Sequence, residues 1–276
     1  MLTLNCKGRL LSLDTPVVMG IINTTPDSFY AGSRHTALDE IVQTAGRMLQ
    51  DGATILDLGG QSTRPGSEQI GASAEIDRVV PAIEAVYKAF PETFISVDTY
   101  HAAVAEASVV AGACIVNDIS GGNLDPEMLT TVGKLQVPYV CMHMQGNPAT
   151  MQDNPQYNNV VTEVLDFFIQ QVEKCHQAGI TDVIIDPGFG FGKTIAHNFQ
   201  LLKNLRALGL LNCPILVGIS RKSTIYKTLG VTADEALNGT TVLNTIGLMH
   251  GAHILRVHDV REAKEAIELY IAMQKA

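Results

Sequence analysis

Eight short runs of apolar and β-branched residues recur along this chain, with helical patterns in the gaps between them. The runs cover residues 17–23, 54–60, 94–99, 114–119, 138–144, 182–188, 214–220 and 252–259. Each is apolar on both faces, the signature of a strand buried in a parallel sheet. Between them, residues 38–49 set Leu38, Ile41, Val42, Ala45 and Leu49 on one helical face. Residues 74–89, 102–111, 126–135, 160–178, 198–208, 233–250 and 263–273 read in the same way. Strict alternation of strand and helix makes an α/β fold. Eight repeats within 276 residues favour a closed (β/α)₈ TIM barrel over an open Rossmann-like sheet, the main alternative. Residues 2–6 and 9–13, around Lys7-Gly8, predict a short N-terminal β-hairpin capping the barrel bottom. No linker rich in Pro or Ser interrupts the pattern, so residues 1–276 read as a single domain.

Charge narrows the partners. The formal net charge is −9 and no basic run is present, so neither a nucleic-acid backbone nor a membrane surface is an expected partner. Any anionic substrate then needs a local cluster of cations. The five cysteines form no CxxC pair, which fits a reduced, cytoplasmic protein. Residues 1–16 lack the pattern of a signal peptide, and no apolar run approaches the roughly 20 residues of a membrane span. Cys141 and His143 share a strand face but have no companions to complete a zinc site.

In such a barrel the chemistry lies where strands run into the following loops. Here nearly every run ends in polar residues or glycine: Asn23, Asp57, Asp98-Thr99, Asn117-Asp118, His143, Asp186, Ser220-Arg221-Lys222, and Arg256 with His258. Asp98 or Asp118 taken singly is explained as a helix cap. Eight strands with the same habit are not. Alternation puts Ser96 with Asp98, and Arg256 with His258, on common faces. Converging Asp, Asn, Lys and Arg suit a heteroaromatic ring, whose guanidine-like edge a carboxylate binds in bidentate fashion. Ser62-Thr63-Arg64-Pro65-Gly66 and Ser220-Arg221-Lys222-Ser223, with Arg256 and His258, supply an expected phosphate or diphosphate seat. The run from Pro187 to Thr194 is no nucleotide P-loop, because Pro187 stands where that loop needs Gly. Its glycines, at 188, 190 and 192, also miss the dinucleotide spacing.

Taken in order, these motifs resemble the dihydropteroate synthase family of pterin-binding barrels. The resemblance is carried by Met19-Gly20-Ile21-Ile22-Asn23-Thr24-Thr25-Pro26-Asp27-Ser28-Phe29, by Asp57 through Gly66, and by Ser96-Val97-Asp98-Thr99. Val116-Asn117-Asp118-Ile119, Met142-His143-Met144, Asp186 through Lys193, Ser220-Arg221-Lys222-Ser223 and Arg256-Val257-His258-Asp259 continue it. It implies a transferase of folate biosynthesis, a sulfonamide target, that joins p-aminobenzoate to 6-hydroxymethyl-7,8-dihydropterin diphosphate. It further implies that Asp98, Asn117, Asp186 and Lys222 hydrogen-bond the pterin, with Met142, Phe191 and Arg256 against its faces. Asn23, Thr63, Arg256 and His258 would hold the diphosphate, with Mg²⁺ at Asn23. Thr63, Arg64, Pro65, Phe29, Lys222 and Ser223 would frame the p-aminobenzoate pocket. The implied catalytic roles fall to Lys222, Arg256, Asn23 and Arg64, and the implied assembly is a homodimer. A pterin-dependent methyltransferase needs no diphosphate seat, and a non-catalytic pterin binder predicts binding without product. The chain departs from the family pattern at Tyr30-Ala31-Gly32-Ser33, where Ala31 replaces a usual Asp and Ser33 a usual Gly. Slower turnover with pterin binding retained is the expected consequence.

Overall fold

Strands that are apolar on both faces need cover on both, which a closed barrel supplies with helices outside and its own inward side chains within. The structure, a computed structural model, describes residues 2–24, 34–61, 69–147 and 150–276. An antiparallel hairpin, β1 (Thr3–Cys6) and β2 (Arg9–Ser12), precedes the barrel. The barrel strands and the helices after them follow in turn. They are β3 (Val17–Asn23), α1 (Arg34–Gln50), β4 (Ile55–Gly59), α2 (Ala72–Ala89), β5 (Phe94–Asp98) and α3 (Ala102–Ala111). Next come β6 (Ile115–Asp118), α4 (Met128–Leu135), β7 (Tyr139–Met142), α5 (Val160–Gln177), β8 (Val183–Asp186) and α6 (Ile195–Lys203). The last are β9 (Leu216–Val217), α7 (Ser223–Leu229), α8 (Leu237–Met249), β10 (Ile254–Val257) and α9 (Val260–Lys275). Neighbouring strands pair in parallel in the order β8-β7-β6-β5-β4-β3-β10-β9. A parallel bridge between Ile185 and Ile215 closes the ring.

Alternation along each strand sorts the side chains into two layers. Val18, Leu56, Val97, Val116, Ile185, Val217 and Leu255 point outward into the core shared with the helices. Val17, Met19, Ile55, Ile115, Val140, Ile184, Leu216 and Ile254 point inward and fill the lower barrel. Leu4, Cys6, Leu11 and Leu13 of the hairpin segment pack onto that inner layer, so the hairpin plugs the bottom as expected. Two residues further along, the inner row turns polar at Asp57, Asn117, Asp186 and Arg256.

Some elements differ from the sequence expectation. The helix expected over 198–208 starts earlier, where Thr194 caps α6 through the His197 N–H, and breaks at Asn204 into a 3₁₀ stretch, Leu205–Leu211. Strand β9 shrinks to Leu216–Val217, and α7 forms where only a helix start was anticipated. The long helix expected over 233–250 begins at Leu237. Among the described residues, no helix is long and apolar enough to cross a membrane.

Candidate active site at the C-terminal ends of the barrel strands

The inner-facing row that carries Ile55, Ile115, Ile184, Leu216 and Ile254 continues with Asp57, Asn117, Asp186, Gly218 and Arg256. Four of these strands thus supply apolar packing low in the barrel and a polar group near the top, while Gly218 leaves β9 without one. Arg256 ties the group together. Its Nε donates to Asp57 Oδ2 at 2.6 Å and its Nη2 to Asp98 Oδ2 at 2.5 Å. Asn117 Nδ2 donates to the same Asp57 oxygen at 3.0 Å. Asp57 is fully buried, while Arg256 keeps 18% of its side chain exposed toward the mouth. The other oxygens of the two acids, Asp57 Oδ1 and Asp98 Oδ1, and Ser96 Oγ are buried with no hydrogen-bond partner among the described residues. Groups so placed are costly unless something supplies donors.

The electrostatics follow from this burial. Burial pushes the Asp98 carboxyl up to about 7 against the pull of Arg256, with Asp57 and Asp118 adding to the rise. Burial also raises Asp186, opposed chiefly by Lys222. Lys222 is lowered to about 8 by burial, with Asp186 resisting. Burial works against the Arg256 charge too, but Asp57 and Asp98 outweigh it and hold the guanidinium above its usual range.

Apolar walls flank the acids. Met142, at the end of β7, clusters with Phe191, Ile119, Met151 and Tyr100. Lys222 bridges the polar and apolar sides: its Nζ lies 4.5 Å from the Phe191 ring centroid and donates to Phe189 O at 2.5 Å. A Cβ on Gly218 would come 3.7 Å from Asp186 Oδ2, so this glycine leaves open space beside the carboxylate. Together these define the slot: Met142 and Phe191 on its apolar side, the buried carboxylates of Asp57, Asp98 and Asp186, and the cations Lys222 and Arg256.

Asn23 ends β3 with its side chain exposed at the rim, and Ser223 opens α7 beside Lys222. His258, exposed after β10, engages Ser220: Oγ accepts its backbone N–H at 3.2 Å and lies 3.1 Å from its Nδ1. The structure therefore gathers Asp98, Asn117, Met142, Asp186, Phe191, Lys222 and Arg256 about one slot. Phe29, Ala31, Ser33, Thr63, Arg64 and Pro65 lie outside the described residues.

Two polar strand-end residues serve the fold instead. Asp118 faces outward, taking the Tyr139 hydroxyl at 2.7 Å and the N–H groups of Ser120 and Gly122. It holds the turn after β6 and caps no helix, since α4 begins only at Met128. Arg221, expected to help seat an anion, spends its guanidinium on Asp259, at 2.8 Å through both Nε and Nη2, and on the carbonyls of Ala233 and Asp234. It ties the loop after β9 to the start of α9. Cys141 points into the outer apolar layer near Cys175, and His143 Nδ1 faces Lys193 Nζ at 2.8 Å.

Sequence reasoning gave no role to Asp57 or Lys193. Asp57 carried the same strand-end signal as Asp98, but its link to Arg256 spans 199 positions and no local pattern shows it. Lys193, 2% exposed, was read as part of a failed phosphate motif.

Comparison with known proteins places this geometry in context. The family model described as "Pterin binding enzyme" matches residues 19–258. The dihydropteroate synthase of Escherichia coli (strain K12) is 45% identical over 272 residues, 98% of this chain and 96% of that one. Among solved structures, the Yersinia pestis dihydropteroate synthase in a sulfonamide drug complex superposes with a TM-score of 0.93 at 44% identity, covering 100% of both chains. The Xanthomonas albilineans dihydropteroate synthase in complex with 7,8-dihydropteroate gives a TM-score of 0.87 at 36% identity, over 99% of each.

Proposed function

The chain belongs to the pterin binding enzymes and, within them, to the dihydropteroate synthases, and from that premise we propose how its own residues carry out the reaction. It is a transferase that condenses p-aminobenzoate with 6-hydroxymethyl-7,8-dihydropterin diphosphate, giving 7,8-dihydropteroate and diphosphate. The observation that carries the site assignment is the Arg256 guanidinium joined to Asp57 and Asp98 beside Asn117, at the top of a packed barrel.

Asp98, Asn117, Asp186 and Lys222 receive the polar edge of the pterin. Asp98 Oδ1, buried without a partner among the described residues, is an acceptor of the kind a ring N–H or amino group satisfies. Met142 and Phe191 cover one side of the ring, and the planar Arg256 group stacks on it. Asn23, Thr63, Arg256 and His258 hold the diphosphate, while Thr63, Arg64, Pro65 and Phe29, with Lys222 and Ser223, frame p-aminobenzoate.

The bond that breaks joins the pterin methylene to a diphosphate oxygen, and its electron pair leaves with that oxygen. Arg256 and Arg64 meet the growing negative charge. The dihydropterin ring delocalises the positive charge on the methylene carbon, and its apolar walls keep water away. The arylamine nitrogen has a free lone pair at pH 7, attacks that carbon and loses a proton to the released diphosphate or to solvent. No strong general base is required.

Mg²⁺ fits this site as a companion of the diphosphate. Asn23 offers an exposed hard oxygen at the rim, and the described residues gather no cage of three or more His, Cys, Asp or Glu. One protein oxygen with phosphate oxygens and water is an ordinary Mg²⁺ environment. When bound, the ion neutralises charge on the leaving diphosphate.

The same reading makes residues 1–276 one pterin-binding domain, cytoplasmic, a homodimer and a sulfonamide target. Exposed Val242, Met249, Leu269 and Met273 on α8 and α9 support a second copy against that face. Ala31 and Ser33 are read as slowing turnover without weakening pterin binding. The assay that tests the function supplies the pterin diphosphate, p-aminobenzoate and Mg²⁺, and measures both products. Diphosphate and dihydropteroate appear in equal amounts if the reading is correct. Tight pterin binding with no product would point to a binding protein and overturn it.

A further inference from the structure

Beside the slot, two loops are locked into one body by a buried cation that the reaction does not use. Lys193 is 2% exposed, and its Nζ lies within hydrogen-bond distance of four acceptors. These are His143 Nδ1 at 2.8 Å, His143 O at 3.2 Å, Gly188 O at 3.1 Å and Phe191 O at 3.0 Å. Burial lowers Lys193 to about 7, with Asp186 resisting, and an amine so far from water needs such partners in either protonation state. His143 stays neutral, pushed down to about 2 by burial and by the adjacent Lys193 charge.

The two loops are those after β7 and β8, and they touch at atomic distance. A Cβ on Gly188 would fall 1.9 Å from His143 O, and one on Gly192 would fall 2.4 Å from Gln145 O. Gln152 Nε2 donates to Gly190 O at 2.5 Å and the Tyr157 hydroxyl to Gly192 O at 2.9 Å. These latches sit at the outside, whereas Lys193 is at the centre. The segment held in this way presents three contacts to the slot. The Phe191 ring packs with Met142 and Met151. The Phe189 carbonyl receives Lys222, and the Gly188 N–H donates to Asp186 Oδ1 at 2.7 Å.

We infer that Lys193 is a positioning residue for the pterin: through Phe191 and the Phe189 carbonyl it fixes the apolar wall and the Lys222 ammonium at the height the ring requires. It touches neither substrate. Without its four acceptors gathered, the carbonyls of Gly188 and Phe191 lose their common donor and the segment at 188–192 can relax away from the slot. The ring wall is then lost before the chemistry is, because Asp98, Asn117 and Arg256 stand on other strands.

This inference rests on the pterin-binding reading, so the test begins with calorimetric binding of the pterin diphosphate to the parent chain. If the parent does not bind, the reading itself fails. Given parent binding, Lys193→Met raises the pterin Kd and KM at least tenfold, while kcat at saturation falls less than threefold. Phe191→Leu weakens binding too, and the double variant is no weaker than the poorer single variant, because both act on one wall. A pterin Kd within twofold of the parent, or additive effects in the double variant, overturns the inference, even if Lys193→Met lowers the melting temperature. Should Lys193→Met not stay folded by circular dichroism, Lys193→Gln, which keeps two N–H donors on a shorter reach, is measured by the same criteria.

Discussion

Glu75 shows how far one residue can depart from its local reading. It stands in the first turn of α2, where an acid ordinarily complements the helix dipole in water. Here it is 1% exposed, with both carboxyl oxygens buried and without a hydrogen-bond partner of good geometry among the described residues. Gly60 sits directly on it: a Cβ there would meet Glu75 Cγ at 2.8 Å. Burial raises its pKa from 4.5 to about 7, with the Thr99 side chain opposing and Asp98 adding to the rise. A carboxyl raised on folding stabilises the native state fully below its unfolded value, and that benefit disappears as pH climbs through about 7. Glu75→Gln removes the buried charge. It should therefore match the parent within experimental error near pH 3.5, exceed it by about 1 kcal/mol at pH 5 and by about 3 kcal/mol at pH 8, read by urea unfolding at each pH. A stability difference that does not change with pH would refute this origin. The contrast with Asp98 explains what was legible at this scale. Asp98, Asn117, Asp186 and Arg256 declared themselves because a polar residue at the end of an apolar run violates the pattern. Glu75 and Lys193 sit among other polar residues, so their burial leaves no mark in the sequence. Asp57 carried the mark, but its partner is decided only by barrel closure.

Elements were legible in proportion to how much of their pattern is local. Every barrel strand was expected, since an apolar, β-branched run between turns needs no tertiary information. Their edges moved inward, as with 138–144 against Tyr139–Met142, because residues past the ladder turn toward the loops. Helix α7 was hidden by its seven-residue length, and the split at Asn204 by an unbroken apolar pattern across it. The loops after β7 and β8 are the least legible, because their form depends on each other. Gly188 and Gly230 allow that dependence to be measured. Both hold φ at +68°, but a Cβ on Gly230 would meet nothing within 4 Å whereas one on Gly188 would strike His143 O. Gly230→Ala should therefore cost only the left-handed backbone term, about 1–2 kcal/mol, and leave pterin affinity unchanged. Gly188→Ala should cost more than Gly230→Ala in the same urea titration and weaken pterin binding at least tenfold. Equal costs with equal affinities would show that the two loops are not rigidly joined.

At the scale of the whole molecule the barrel divides its labour along its axis. The lower interior is a dry plug in which Leu4, Cys6, Leu11 and Leu13 meet Met19, Ile55, Ile115, Val140, Ile184, Leu216 and Ile254. The upper interior holds Asp57, Asp98, Asn117, Asp186 and Arg256, whose mutual burial is tolerated for chemistry and not for stability. Leu11 belongs to the hairpin, is 4% exposed and touches only the lower cluster. Leu11→Ala opens a cavity there, at a cost of about 2–5 kcal/mol. For a chain of this size that corresponds to a fall of about 5–15 °C in Tm. If stability resides at the bottom and recognition at the top, the same variant keeps its pterin KM and kcat within twofold of the parent at a temperature where both remain folded. A rise in pterin KM comparable to that from a change in the slot would mean that the hairpin sets the height of the strand ends, and the axial division would have to be abandoned.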